Sequence, residues 1–221
     1  MTKILVTGSA GFMGSHLVDF LLAQRHQVFG VDDLYGGYLE NVNPKSTFYK
    51  LDLRQNSKTI NLIKKLKPQL IFHLAADATV GRSQFTPLSA TERNYLASLN
   101  VLIGCVKAGT KKIVITSSMS VYGDQKPPFT EDMPTAPVDI YGIAKTATEE
   151  ATRVLSQVYG FDYTIIRPHN VYGPRQNPHG EAGVVAIFCH NFLTGKQSVI
   201  NGDGKQTRDY VYVSDIVQAN L

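Results

Sequence analysis

Residues 7–14 read Thr-Gly-Ser-Ala-Gly-Phe-Met-Gly, and they join a short apolar run, Ile4-Leu5-Val6, to an amphipathic stretch over 12–25. Glycines at 8, 11 and 14 give the spacing GxxGxxG. In a strand–turn–helix unit Gly8 allows the tight turn, and Gly11 lets the backbone approach a pyrophosphate. Gly14 lets the helix pack closely on the strand, and the helix N-terminus turns its positive end toward the phosphates. A glycine-rich loop alone also serves plain tight turns. Its place between a buried-type strand and an amphipathic helix selects the dinucleotide reading here. Phe12 and Met13, opening the helix, join Gly8 and Gly11 as candidate cofactor contacts.

The rest of the chain repeats the alternation. Strands are predicted at 3–7, 27–32, 47–51, 70–73, 112–116, 163–167 and 198–200. Helices are predicted at 12–25, 57–66, 90–108, 140–159 and 183–193, with a helix-like stretch at 214–221. Several strand segments are continuous Val/Ile/Leu runs without period-2 alternation, the pattern of strands covered on both faces. Alternating signals of this kind predict an α/β fold, a Rossmann-type doubly wound parallel sheet. A length of 221 residues suits one sizeable domain with a well-buried core, or one domain plus a small appendage. The turn-rich segment Pro174-Arg175-Gln176-Asn177-Pro178 places a boundary between a core domain, 1–174, and a partial substrate-binding region, 175–221.

Composition narrows the setting. Hydrophobic residues make up 43% and charged residues 18%, ordinary for a globular protein. The net charge of +4 suits an anionic ligand. The basic residues are scattered, and Lys64, Lys65 and Lys67 read as a solvated helix end rather than a nucleic-acid patch. No apolar run reaches membrane-spanning length, and the chain enters a strand-like segment at once, without a signal-peptide pattern. Cys105 and Cys189 lie too far apart in sequence for a disulfide framework, and the six histidines lack ligand spacing. The expectation is a reduced, cytoplasmic enzyme with no nucleic-acid or membrane partner and no metal.

Acids follow the glycine loop at the expected distance. Asp32-Asp33 ends the second strand, where a carboxylate accepts from both hydroxyls of an adenosine ribose and repels a 2′-phosphate; this favours NAD over NADP. Asp33 also reads as a turn cap. Asp52, after the third strand, is placed to accept from an adenine amino group. Leu53 beside it, and Leu74, Ala75 and Ala76 after the fourth strand, complete the candidate cofactor set. The fifth strand ends in Thr116-Ser117-Ser118-Met119-Ser120-Val121-Tyr122-Gly123. A long helix opens with Tyr141-Gly142-Ile143-Ala144-Lys145, so Tyr141 and Lys145 share a face. An ammonium beside a phenol favours its anion, which lets the phenol act as base or acid near neutral pH. A Tyr-x-x-x-Lys pair is common on surfaces; joined to the glycine loop and the serine-rich strand end, it becomes a specific constellation.

With TGSAGFMG, VDDL, LDLR, HLAA, SSMSVYGD, YGIAK, RPHNVYGPR and QTRDYVYVSD in this order, the chain resembles the extended short-chain dehydrogenase/reductases, and among them the NAD-dependent sugar-nucleotide epimerases similar to UDP-glucose 4-epimerase. The resemblance implies a catalytic set of Ser118, Tyr141 and Lys145, the last two also touching the cofactor. It implies substrate contacts at Ser118, Ser120, Tyr141, Asn170 and Arg208, a structural role for Asn94, and NAD as cofactor. It implies a UDP-sugar or related nucleotide sugar as substrate, and a homodimer built on the helices near 90–108 and 140–159, where Leu96, Leu99, Val101 and Leu102 supply apolar surface. Dehydrating relatives carry an Asp-Glu pair after the active serine or threonine, and decarboxylating ones keep the Glu. Met119 and Ser120 stand here instead, which leaves C4 epimerisation, with UDP-glucose and UDP-galactose foremost, ahead of a dehydratase, decarboxylase or reductase. Family members extend past the equivalent of residue 221, so the C-terminal part is expected to be truncated. A non-catalytic NAD-binding regulatory module is the reading from another class.

Overall fold

The computed structural model describes residues 1–179 and 183–221. Its elements in chain order begin with β1 (Lys3–Thr7), α1 (Phe12–Ala23), β2 (Gln27–Asp32), β3 (Thr47–Lys50), α2 (Asn56–Leu66) and β4 (Leu70–His73). There follow α3 (Val80–Ser83), α4 (Pro87–Thr91), a π-helical turn at Glu92–Leu96, and α5 (Ala97–Ala108). The chain continues with β5 (Lys112–Thr116), a 3₁₀ turn at Met119–Tyr122, α6 (Ile140–Tyr159) and β6 (Asp162–Ile166). It closes with β7 (Asn170–Tyr172), α7 (Val184–Leu193), β8 (Tyr210–Tyr212) and α8 (Val213–Ala219). Six strands form one parallel sheet in the order β3-β2-β1-β4-β5-β6. The chain winds outward from β1 to β3, then crosses back to β4, so the β1–β4 boundary is where the winding direction reverses.

Strand residues alternate between two cores. Leu5, Val31, Ile71, Ile113 and Ile115 pack with α2 and α5 through Ile63, Val101, Leu102 and Cys105. Ile4, Val6, Val28, Phe72 and Val114 face the other way, onto Leu17, Val18 and Leu21 of α1 and Val217 of α8. Because helices cover both faces, the strand runs are apolar throughout, which is why they stood out in the sequence.

The helices end where the residue types require. α5 and α6 stop at Gly109 and Gly160, both left-handed, with φ of 67° and 71°. α6 starts on Asp139, whose carboxylate accepts from the Gly142 amide at 2.7 Å. The predicted helix 90–108 is longer than expected; it begins at Pro87, a residue suited to the first helical position, and passes through the π turn.

The predicted strand at 198–200 does not form. Val199 and Ile200 are exposed, and this segment has no neighbouring strand to pair with among the described residues. Instead β7 pairs in parallel with β8, a two-stranded sheet that the sequence did not announce and that joins residues on either side of position 174.

The glycine turn holds the first β–α unit together. Gly8 has φ of +70°, and its amide donates to the Val31 carbonyl at 2.8 Å, tying the turn to β2. A Cβ on Gly14 would lie 2.0 Å from the Gly8 carbonyl oxygen, backbone against backbone. Gly14→Ala should therefore cost about 3 kcal/mol of stability, the upper end for overpacking, whereas Gly81→Ala, where a Cβ meets nothing within 4 Å, should be neutral or stabilising. Urea midpoints of the two variants check this; equal midpoints would contradict it.

Candidate active site

All strands of the main sheet are parallel, so their carboxyl ends, with the loops that follow, lie along one edge. At the β1–β4 boundary on this edge is a cleft of about 350 Å³. Every residue assigned to the cofactor from the glycine loop, the strand-end acids and the loop after β4 lines it: Gly8, Gly11, Phe12, Met13, Asp32, Asp33, Asp52, Leu53, Leu74, Ala75 and Ala76. No side chain within α1 caps it, and no acid stands in its first turn, so its positive end is open to the cleft. A pyrophosphate fits that end, and the acids at the end of β2 beside it fit ribose hydroxyls.

The three acids differ in their surroundings. Asp32 is buried and accepts from the Ala10 amide at 3.0 Å and the Leu34 amide at 2.8 Å. Burial raises its pKa above the usual carboxylate value, against the pull of these amides. Asp33 accepts from the Tyr35 amide and is paired with Arg93 at 2.8 Å. Asp52 is held by the fork of Arg54, which lowers its pKa. Its carboxylate thus has a protein partner besides any adenine.

Sequence reasoning missed the arginines and Tyr35. The Arg93 guanidinium carbon lies 3.6 Å from the Tyr35 ring centroid, and Arg82, paired with Asp77, lies 5.4 Å from the same ring. All of these residues line the cleft, as do Arg175, Gln176 and Asn177 just beyond position 174. Arg93 pairs with Asp33 across 60 residues and Arg175 with Asp19 across 156, separations over which a sequence carries no local signal.

A buried polar chain reaches the cleft lining at the Ala75 and Asp77 backbone. Ser98 Oγ donates to the Asn94 carbonyl, so it accepts from His73 Nε2 at 2.8 Å. His73 Nδ1 is then the acceptor for Thr7 Oγ1 at 2.7 Å, and Thr7 Oγ1 accepts from the Ala75 amide. The Asn94 amide closes the chain with two bonds to the Asp77 backbone and one to the Ala90 carbonyl. This assigns His73 as the neutral Nε2–H tautomer. Burial, with the Lys145 charge nearby, depresses its pKa to about 3.

The second cluster lies at the ends of β5 and α6. Lys145 is buried, and its ammonium donates to the Thr116 carbonyl at 2.8 Å. It sits 5.7 Å from the centroid of the buried Tyr141 ring. Ser118 caps the 3₁₀ turn: its Oγ accepts from the Ser120 amide and donates to Ser120 Oγ. A Cβ on Gly142 would meet the Ser120 carbonyl oxygen at 2.7 Å, so the first turn of α6 rests directly on the serine turn. Asn170 opens β7, and its side chain donates to the Asp209 carbonyl at 3.2 Å. Arg208 is exposed and donates to its neighbour, the Thr207 carbonyl. The structure thus groups Ser118, Ser120, Tyr141 and Lys145, sets Asn170 on the small sheet, and leaves the Arg208 guanidinium turned to its own backbone. Among the described residues no group of His, Cys, Asp or Glu could hold a metal.

A family model described as "NAD dependent epimerase/dehydratase family" matches residues 4–221. UDP-glucose 4-epimerase of Mycolicibacterium smegmatis is 45% identical, over 98% of this chain and 71% of its own length. The UDP-N-acetyl-alpha-D-glucosaminuronate decarboxylase of Bacillus cytotoxicus is 35% identical, over 99% of this chain and 70% of its own. The crystal structure of UDP-glucose 4-epimerase from Thermotoga maritima with UDP-glucose superposes with a TM-score of 0.95 at 42% identity, covering 98% of this chain and 71% of that one. The UDP-glucose 4-epimerase of Thermus thermophilus, in complex with NAD, gives 0.93 at 39% identity, covering 98% and 72%.

The His73 assignment has a consequence in acid. Its folded-state pKa of about 3 lies below the ordinary 6.5, so between these values the unfolded chain binds a proton that the folded chain refuses. Stability then falls as pH drops from 6.5 toward 3, by up to roughly 1.4 kcal/mol per pH unit from this one group. In His73→Gln that part of the slope should vanish. Urea midpoints at several pH values in this window measure it, and parallel curves for the two proteins would refute the assignment.

Proposed function

The chain belongs to the NAD-dependent epimerase/dehydratase family, and we propose that within it the chain interconverts the C4 epimers of a UDP-hexose, UDP-glucose and UDP-galactose foremost. The observation that carries this reading is the buried Lys145–Tyr141 pair beside the Ser118 turn, followed by Met119 and Ser120 where a second acid–base pair would stand. Chemistry that expels a hydroxyl or a carboxylate calls for a further acid or base at those positions. C4 epimerisation needs one proton acceptor and a hydride carrier.

In this reading Tyr141 takes the proton of the sugar 4-hydroxyl, with the Lys145 ammonium stabilising negative charge on the phenol oxygen. Ser118 hydrogen-bonds the same hydroxyl and fixes its position. The chemistry supplied by bound NAD is removal of hydride from C4 and its return to the opposite face. The α1 N-terminus and the glycine loop hold the pyrophosphate, and Asp32 and Asp33 favour free ribose hydroxyls over a 2′-phosphate. Asn170 and Arg208 face the nucleotide sugar; for Arg208 this requires its guanidinium to leave Thr207 and fork onto the diphosphate. Residues 1–174 supply most of the cofactor cleft, with Arg175, Gln176 and Asn177 completing its lining, and 175–221 contribute to the sugar side.

The same reading makes the chain a homodimer in the cytoplasm. Val101 and Leu102 are committed to the chain's own core, but Leu88, Leu96, Ile143, Val154 and Val158 on α4, the π turn and α6 are exposed, an apolar surface suited to a second copy. No helix among the described residues is long and apolar enough to cross a membrane, and both cysteines are free.

Tyr141→Phe removes the proton acceptor while keeping the ring. It should lower kcat for UDP-galactose about 10²–10⁴-fold and leave NAD affinity and the melting midpoint within error. A coupled assay of UDP-glucose formation measures turnover. Wild-type turnover by the variant would mean that another group is the base.

A further inference from the structure

α6 buries an unusually polar stripe: Tyr141, Lys145, Thr148, Glu149 and Thr152. Thr148 and Thr152 bond back to carbonyls one turn earlier, and Lys145 is tied to Thr116. Glu149 is different. It lies one turn beyond Lys145 on the same face, and it is gripped by Arg167 from outside the helix. Arg167 Nε donates to Glu149 Oε1 at 3.0 Å and Nη2 to Oε2 at 2.7 Å. The remaining arm, Nη1, donates to the Tyr122 hydroxyl at 2.8 Å.

These three residues come from three segments that each carry a group of the proposed site. Tyr122 ends the turn that Ser118 caps. Glu149 shares the α6 face of Tyr141 and Lys145. Arg167 follows β6 and leads, through Pro168 and His169, to Asn170. Backbone bonds run beside the side-chain cluster, from the Ser117 amide to the Ile166 carbonyl at 2.7 Å and from the Met119 amide to the Pro168 carbonyl at 3.2 Å. Tyr122 is further stacked on Phe129, with ring centroids 4.8 Å apart.

A buried ion pair adds little net stability, because desolvation offsets most of the attraction. What a planar guanidinium on a carboxylate does add is direction, since both forks must lie in register. We propose that Arg167 is a positioning residue: by forking onto Glu149 and bonding Tyr122, it sets the α6 face and the serine turn at the spacing that proton transfer between sugar, Ser118 and Tyr141 requires. This rests on the reading of Ser118, Tyr141 and Lys145 as the reacting groups. The Arg167 guanidinium bonds Glu149, the Tyr122 hydroxyl and the Glu131 carbonyl.

The test uses Tyr122→Phe, which deletes one hydroxyl, and Arg167→Lys, which keeps the charge but cannot make the fork and the Tyr122 bond together. Arg167→Lys should lower kcat about 10-fold or more, as small displacements of reacting groups do, with KM for UDP-galactose, NAD affinity and melting midpoint little changed. Tyr122→Phe should give a smaller loss of kcat. Combining the two should add nothing beyond Arg167→Lys, because both cut the same link. Unchanged kcat in Arg167→Lys overturns the proposal. So does a loss matched by a lower midpoint and weaker NAD binding, which would mark the cluster as a strut. Wild-type inactivity toward UDP-sugars would instead strike the function reading, and hydrogen exchange then decides on the clamp. Faster exchange confined to residues 117–123 and the first turns of α6 in both variants supports it; unchanged exchange there overturns it.

Discussion

Gly8 is gripped from two sides. A side chain on it would strike the Ala75 amide at 2.7 Å, and a side chain on Gly14 would strike its carbonyl at 2.0 Å. The loop after β1, the loop after β4 and the first turn of α1 therefore meet with no side chain between them. Gly8, Gly14 and Ala75, which make that contact, all line the cleft. The sheet order puts the contact where the winding reverses, so neighbouring loops diverge and leave space for a ligand. The acids of β2 and the polar chain through His73 are arranged around this point.

A second constraint is the amount of polarity taken into the interior. His73, Asn94, Ser98, Lys145, Thr148, Glu149 and Thr152 are all buried. Each of these side chains has a partner: another side chain for His73 and Glu149, a backbone carbonyl for the others. Satisfied networks of this kind rigidify what they connect, while one missing partner leaves a costly orphan. The polarity is concentrated along α6 and where the end of β4 meets the π turn and the start of α5. The opposite face of the sheet, under α1 and α8, is packed with aliphatic side chains and Phe72.

Much of this was legible in the sequence. The glycine loop and the acids at 32, 33 and 52 are local signals, set by short spacings, and the structure lines a single cleft with them. The main-sheet strands all fall within one residue of their predicted bounds, because burial on both faces leaves an unbroken apolar run. The run at 198–200 carried the same signal without a neighbour to pair with, and it stayed irregular. β7 and β8 escaped notice because three residues cannot display a period. The Asp33–Arg93 and Glu149–Arg167 pairs were invisible for another reason. They join residues 60 and 18 apart, and a salt bridge leaves no mark on the residues between its partners.

The π turn at Glu92–Leu96 spaces its hydrogen bonds one residue wider than its neighbours. One extra residue rotates everything upstream by about 100° relative to an uninterrupted helix. Here that rotation lets Pro87–Thr91 and Ala97–Ala108 present different sides to the protein while Asn94, between them, points inward to the Asp77 backbone. The inward amide is thus specified by a count rather than by a composition. Removing any single residue from this stretch would restore a regular helix and swing the asparagine, or the elements before it, out of phase. Related chains should accordingly tolerate changes of side chain around 92–96 far better than insertions or deletions, and an alignment gap there would separate sequences that share this buried polar chain from those that build it differently.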